Sequence, residues 1–424
     1  MQVTINELSA IKQEADIQLS MDELQPHFVR AYEEFRPKVE LKGFRKGKVP
    51  MPMIRQLYGD AVEKDALDTI ADEFYRKAMD EKQIHPVGRP TMVDMDFRRG
   101  ESFRFKITYE IKPAITLGKY KGVAADKPVH AVTDAEVEAE ILSLRRAHST
   151  RHPAESVTDQ EHMVTGDVQE LDDSGAPLIG KKTAGATFSL FDETLAPEIR
   201  AALMHATVGA TVRTRFESKH GDHTHPVHIA ITPTAIEKVD LPAFDDALVS
   251  TITGGKVTSA EAFTASLRTD LARYWDDQST AKLNDNIARA VVDAHDFPVP
   301  DALVDSILDS FVEDLKVRSR DRKLRRGFDE TKFREESRSY ATWQAKWMLL
   351  KEKIAEAESL AVSDAEIDAM AESEAASTGI AKDRLLAFYR SSSASTERLL
   401  SEKVMALLRS KAKITEKPAA DEPR

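Results

Sequence analysis

Residues 41–51 read Leu-Lys-Gly-Phe-Arg-Lys-Gly-Lys-Val-Pro-Met. Two glycines four residues apart, Gly43 and Gly47, with a closing Pro50 and no amphipathic period, describe a loop and neither a helix nor a strand. Into it are set Arg45, Lys46 and Lys48 beside the apolar ring of Phe44. A short loop has no interior in which to bury three cations, and it gains nothing by holding a ring in water unless a partner receives it. The cations suit phosphate or carboxylate, and Phe44 suits an apolar notch or a base face. A docking tip is the expected arrangement; a solvated basic turn with Phe44 folded back onto its own domain competes with it.

Charge sharpens the contrast. Between positions 36 and 55 stand seven basic residues (36, 38, 42, 45, 46, 48 and 55) against one acid, Glu40, whereas the chain of 424 residues carries a net charge of −12. A local cationic focus on an acidic body can steer an anionic partner. The acidic total argues against a general nucleic-acid coat and leaves 36–55 as the single expected nucleic-acid contact.

The chain is long enough for about three domains. Its 41% apolar and 31% charged residues fit a soluble, helix-rich protein. Apolar runs are short and broken by charge, so no membrane span is expected. Residues 1–7 have neither a basic n-region nor an apolar h-region, which makes the cytoplasm the expected location. With zero cysteines there is no disulfide, thiol catalysis or cysteine-ligated zinc. Walker-type glycine loops, Gly-Xaa-Ser-Xaa-Gly and His-Glu-Xaa-Xaa-His are absent, so no cofactor and no ATP-driven cycle are expected.

Outward from the loop, residues 1–20 alternate apolar positions as half-buried strands, and Ser20 with Glu23 makes a capping box for a helix ending at Pro37. After the loop, Pro50 and Pro52 open a short helix to Tyr58, and Asp60 begins a longer one with Val62, Leu67, Ile70, Phe74 and Met79 on one face. Gly88-Arg89-Pro90 is read as a turn, followed by a strand alternating Phe103, Phe105, Ile107, Tyr109 and Ile111 with polar residues. Residues 1–112 are thus expected to form a compact α+β domain. Pro113, Gly118, Gly122 and Pro128 suggest a linker, and Thr133 with Glu136 caps one helix to about Ala147 that must dock on the distant helical region. Residues 161–240 carry frequent glycine turns and read as a small β-rich module, helical only near 197–205. From 241 to 413 the pattern is helical, with starts at Thr258, Asp301, Asp329, Ser363, Lys382 and Thr396, and with the second helix running to about Leu324. Residues 414–424 read as a disordered tail.

Gly43-Phe44-Arg45-Lys46-Gly47-Lys48-Val49-Pro50 resembles the ribosome-docking signature of bacterial trigger factor. The resemblance continues through Tyr58-Gly59 to Pro86 and Pro90. It returns at Lys127-Pro128, at Val132-Thr133-Asp134-Ala135-Glu136 and at Ala412-Lys413-Ile414-Thr415-Glu416-Lys417, and is sparse between. It implies an ATP-independent chaperone that docks on the large ribosomal subunit near the exit tunnel and shields nascent and unfolded polypeptides. Phe44, Arg45 and Lys46 would make the contact, with Lys48 beside them and Gly43, Gly47 and Pro50 setting the loop's shape. Ribosomal protein, ribosomal RNA or both would receive it. The implied fold is α+β multidomain: a ribosome-docking domain (1–112), a linker and arm helix (113–160), an FKBP-like prolyl isomerase module (161–240) and an all-α chaperone domain with arms (241–413).

The module departs from that pattern. No tyrosine or tryptophan occurs between 121 and 273, and in Leu195-Ala196-Pro197-Glu198-Ile199 the family's Gly-Phe has become Glu198-Ile199. Phe188, Ile199 and Phe216 are the pocket remnants. Prolyl isomerase activity is implied by resemblance and opposed by these losses. A protein that is primarily an isomerase and a ribosome-independent holdase therefore stand as alternatives. Residues 220–228 hold His220, His223, His225 and His228; with no full ligand set, a solvated turn is favoured over a nickel or zinc site.

Overall fold

A computed structural model describes residues 1–220 and 223–419. The chain falls into two compact units, one of Met1–Pro128 with Thr280–Lys417, the other of Val129–Ser279 with the residues from Pro418.

The first unit begins with an antiparallel sheet in the order β1-β2-β4-β3, from β1 (Gln2–Ser9), β2 (Lys12–Ser20), β3 (Pro86–Arg98) and β4 (Ser102–Ile111). Strand alternation sends Phe103, Phe105, Ile107 and Tyr109 to one face, where Leu19, Ile17 and Ala15 of β2 stand opposite the first three. Two helices cover that face, α1 (Met21–Phe35) and α2 (Met51–Lys82). Leu24, Phe28 and Tyr32 recur every four residues along α1 and are buried. The Ser20 N–H donates to Glu23 Oε2 at 2.9 Å, so the expected capping box starts α1.

Two local expectations fail here. The short and long helices merge into one, because Gly59 does not break α2. A Cβ at Gly59 would lie 2.3 Å from Arg99 Nη2 and 3.1 Å from Tyr32 Oη, so the glycine admits neighbouring side chains. Nor is Gly88-Arg89-Pro90 a turn; it is an irregularity inside β3, whose register with β4 shifts between Val87 and Thr91.

Residues 112–128 are no slack linker. Ile115, Leu117, Tyr120 and Val123 pack into a helical core that contains Ile287, Val291, Leu350, Ile354, Val404 and Leu408. The Gly118 N–H donates to His295 Nε2 at 2.8 Å, and Tyr120 Oη donates to Glu358 Oε1 at 2.5 Å. The segment ends in β5 (Ala124–Val129), which pairs with β11 (Lys413–Pro418). Residues 414–418 are therefore strand and not the start of a tail; residues 420–424 lie outside the described residues. The helices of this region are the part of α6 (Ala260–Asp293) from Thr280 onward, α7 (Asp301–Arg318), α8 (Glu330–Ala357), α9 (Asp364–Thr378), α10 (Lys382–Ser391) and α11 (Ser393–Lys411). The second of the expected helices stops at Arg318, short of Leu324. Asp321 Oδ1 accepts from the Ser319 hydroxyl at 2.6 Å and the Lys323 N–H at 3.2 Å, a local turn that competes with helix.

The second unit holds a five-stranded sheet, β6-β10-β7-β8 with β9 also on β10, from β6 (Thr150–Ala154), β7 (His162–Leu171), β8 (Pro177–Ser189), β9 (Val212–His220) and β10 (His223–Asp240). β6 pairs with residues 236–240, so the module starts before residue 161. α4 (Pro197–Leu203) adds Ile199 and Leu203 to a core with Val164, Leu190, Ile229 and Ile231. α3 (Asp134–Ala147) docks where a lone amphipathic helix must, on residues distant in sequence. Arg268 pairs with Asp134, and Arg145 Nε donates to the Pro242 carbonyl at 2.7 Å. A short α5 (Asp246–Thr253), capped by Asp245, was not anticipated.

The α3 cap yields a pH prediction. The Thr133 backbone N–H, desolvation notwithstanding, together with His130 and the Thr133 hydroxyl, holds the Glu136 carboxyl down at about 2 from an ordinary 4.5. The folded value lies below the unfolded one, so the cap's contribution is complete above about pH 4.5 and is lost as pH falls from there toward 2. Glu136→Gln is expected to flatten this part of the pH dependence, read as amide-exchange protection of the first turn of α3 across that window.

Candidate functional site

The basic loop leaves and re-enters the core at two valines. Val39 and Val49 are both buried in the cluster that holds Phe103 and Phe105, and Leu41 and Met51 pack partly against it. Between these anchors the backbone makes two successive tight turns. Phe44 N–H donates to the Leu41 carbonyl at 3.0 Å and Lys48 N–H to the Arg45 carbonyl at 2.9 Å. A longer contact, Gly47 N–H to the Val39 carbonyl at 3.4 Å, ties the return strand to the outgoing one. Gly43 and Gly47 have φ of +97° and +72°, the left-handed region that favours glycine. The repeated glycine is thus the covalent condition for this shape. Beneath the loop, the Phe35 and Tyr58 rings meet at 5.5 Å and close α1 on α2.

At the tip, Phe44 is 40% exposed, and Lys42, Arg45, Lys46 and Lys48 are exposed. Lys46 Nζ reaches Glu40 Oε1 at 2.6 Å, but both partners lie mostly in water, where such a pair contributes about 0–1 kcal/mol. Lys42, Arg45 and Lys48 make no ion pair among the described residues. The ring is therefore not folded back, and of the four cations only Lys46 has an ion-pair partner among the described residues. Arg55 faces elsewhere, its guanidinium 5.3 Å from the Tyr32 ring centroid. Tyr32 in turn donates to Glu63 Oε1 at 2.6 Å, and burial with that carboxylate pushes its hydroxyl up to about 12. Sequence reasoning picked out the tip residues but missed the anchors; the signal was Val49, an apolar residue between Lys48 and Pro50.

The other sequence candidates are placed differently. Ile199 is a core residue of the β-rich module, and Phe188 and Phe216 are half-buried against the same core. Packing accounts for all three. Of the histidine-rich run, residues 221 and 222 and the side chains of His220, His223 and His225 lie outside the described residues. His228 comes within 4.0 Å of Asp173. Among the described residues no helix is long and apolar enough to cross a membrane.

An N-terminal α/β region with an exposed cationic loop, a β-rich middle part and a helical C-terminal region define a multidomain α+β protein. Comparisons with known proteins narrow that class. Residues 1–144 match the family model described as bacterial trigger factor protein, and residues 259–410 match that of the trigger factor C-terminus. The chain is 30% identical over 420 residues to the trigger factor of Chlorobaculum tepidum, covering 98% of each, and 28% identical over 430 residues to that of Salinibacter ruber, covering 96% of this chain and 93% of the relative. A solved structure of the trigger factor chaperone, reported for promiscuous substrate recognition in folding and assembly, shares the fold at a TM-score of 0.51 and 18% identity over 97% of this chain and 100% of its own. The chain belongs to the bacterial trigger factor family. It is a ribosome-associated chaperone that binds the ribosome and nascent polypeptides.

Proposed function

We propose that the loop of residues 41–51 is the ribosome-docking element and sets the chaperone beside the exit of the nascent-chain tunnel, in the cytoplasm. Phe44, Arg45 and Lys46 touch the large subunit, Lys48 adds charge, and Gly43, Gly47 and Pro50 hold the shape. One observation carries this reading: an exposed ring and exposed cations, of which only Lys46 is ion-paired among the described residues, ride on a loop whose two ends are locked in the core. The fork of Arg45 suits either a carboxylate of a ribosomal protein or an RNA phosphate, and the proposal includes the RNA contact.

Residues 1–111 supply the docking domain, the module of residues 150–240 an appended domain, and α6–α11 the holding surface. Exposed apolar side chains on three helices support the last assignment: Val317 at 64%, Tyr340 at 50% and Phe388 at 60%. Phe311, Tyr340 and Trp343 stack at 5.8 Å steps. Scattered patches of this kind hold extended chains weakly and without sequence preference, which permits release without a nucleotide motor.

Loop shape gives a test separable from charge. Gly43→Val places a branched side chain at φ +97°, where no neighbour lies within 4 Å to clash and only the backbone is strained. Ribosome affinity is expected to fall several-fold, read by co-sedimentation, with the melting temperature of the N-terminal domain nearly unchanged. Unaltered binding would remove loop shape from the account.

A further inference from the structure

A second basic run lies far along the chain from residues 36–55. Between 318 and 327 stand Arg318, Arg320, Arg322, Lys323, Arg325 and Arg326 against the single acid Asp321. The segment joins α7 to α8, and all six cations are exposed or half-exposed. Its conformation is built from local turns: Ser319 N–H donates to the Lys316 carbonyl at 3.1 Å, Arg322 N–H to the Ser319 carbonyl at 3.0 Å and Phe328 N–H to the Arg325 carbonyl at 3.0 Å. The Phe328 and Phe333 rings, 5.4 Å apart, close the loop onto the start of α8.

The same helix pair shows what arginines do when their role is structural. Arg334 pairs with Asp309 at 2.5 Å and with Glu330 at 2.8 Å, and Arg338 pairs with Asp301 and, at 3.2 Å, with Asp305. These ion pairs flank a shared core of Val304, Leu308, Ala341 and Ala345. The six cations at the turn make no ion pair among the described residues. Their mutual repulsion within so short a segment is unfavourable in an isolated protein, and a polyanion would relieve it.

α7 sets their position. At its start the Ala302 N–H donates to Glu110 Oε2 of β4 at 2.8 Å, and its 18 residues then carry the chain roughly 27 Å along the helix axis. The turn is a basic tip on a braced two-helix arm. Five of its six cations are arginines, whose planar forks bind phosphate oxygens in pairs. No aromatic residue lies between 318 and 327, so base stacking is not provided for. For a chaperone that binds ribosomes, the fitting partner is RNA backbone.

We propose that residues 318–326 form a second, sequence-independent RNA-binding site that grips the phosphate backbone of ribosomal RNA, separate from the loop of residues 41–51. The test uses the full chain carrying Phe44→Ala, Arg45→Glu and Lys46→Glu, so that the docking loop contributes nothing to the reading. Into this background go Arg320→Glu, Arg322→Glu, Arg325→Glu and Arg326→Glu together. Binding of a fluorescein-labelled RNA hairpin is followed by anisotropy over a salt series, with polyglutamate as a second probe.

The parent is expected to bind the hairpin, and the tip variant to bind at least about tenfold more weakly. The slope of log K against log salt should shrink by about 0.7–0.9 for each phosphate that the tip no longer neutralises. A matching Arg→Gln set, which removes charge without reversing it, should give the same order if the Glu set unfolds. Hairpin affinity unchanged in both sets would overturn the proposal. So would a loss confined to polyglutamate, which would assign the tip to an acidic protein surface. Because every protein compared lacks a working docking loop, a failure here leaves the reading of residues 41–51 untouched.

Discussion

A chain carrying Phe44→Ala, Arg45→Glu and Lys46→Glu is expected to stop co-sedimenting with ribosomes at moderate salt, its affinity down by at least about tenfold, and still to suppress aggregation of an unfolded client. The expectation rests on what these residues do not do within the fold. Phe44 is 40% exposed, Arg45 has no ion-pair partner among the described residues, and Lys46 gives up only a solvent-exposed pair with Glu40. Surface changes of this kind shift stability within about 0.5 kcal/mol. The loop's anchors, Val39 and Val49, are untouched. Failure to bind would therefore report missing docking groups and not a damaged fold. Salt should weaken the wild-type interaction, since its Coulombic part is screened over about 10 Å at 0.1 M, and whatever contact residues 318–326 leave in the variant should weaken with salt as well. Wild-type co-sedimentation by this variant would leave the assignment without support.

The largest stability effect is expected at Phe105→Ala. Phe105 is fully buried on the central strand β4, opposite Ile17 of β2 and Met95 of β3, with the Phe103 ring 5.0 Å away. Truncation removes the apolar packing and leaves a cavity that sheet and helices cannot close, at a cost of about 3–5 kcal/mol. Thr108→Ala, on the opposite face of the same strand, should change stability by less than about 1 kcal/mol. Urea unfolding of the N-terminal domain separates the two. The anchors of the 41–51 loop share the Phe105 core, so Phe105→Ala should also weaken ribosome binding as the unfolding midpoint is approached. A loop independent of that core would keep its affinity throughout.

These expectations show where local sequence patterns suffice. Capping boxes at Ser20, Thr133 and Ser363 place helix starts because the reciprocal bonds involve residues three apart. The alternation from Phe103 to Ile111 reveals the central strand for the same reason: neighbours two apart share a face. The exposed basic loop of residues 41–51 was legible because composition, spacing and charge all fall within one short segment. What escaped depends on partners far along the chain. β5 pairs with β11 across a long stretch of sequence, and neither strand shows a local period. Gly59 reads as a helix break until Arg99 and Tyr32 are seen crossing it. Val39 and Val49 look ordinary until both meet the core under the loop. The arginines of the α7–α8 turn stand out in composition but belong to no apolar period.

The central claim is that the tip of the 41–51 loop meets the ribosome. The chain's lack of cysteine allows a direct measurement, since a single introduced thiol is the only one present. Lys42→Cys places it on the loop beside the contact residues, and Glu81→Cys places it near the far end of α2, roughly 45 Å along the helix from the loop. With a short thiol-directed photocrosslinker and purified ribosomes, the account predicts adducts to large-subunit components from position 42 and none above background from position 81. Equal labelling from both positions, or labelling from position 81 alone, would contradict it.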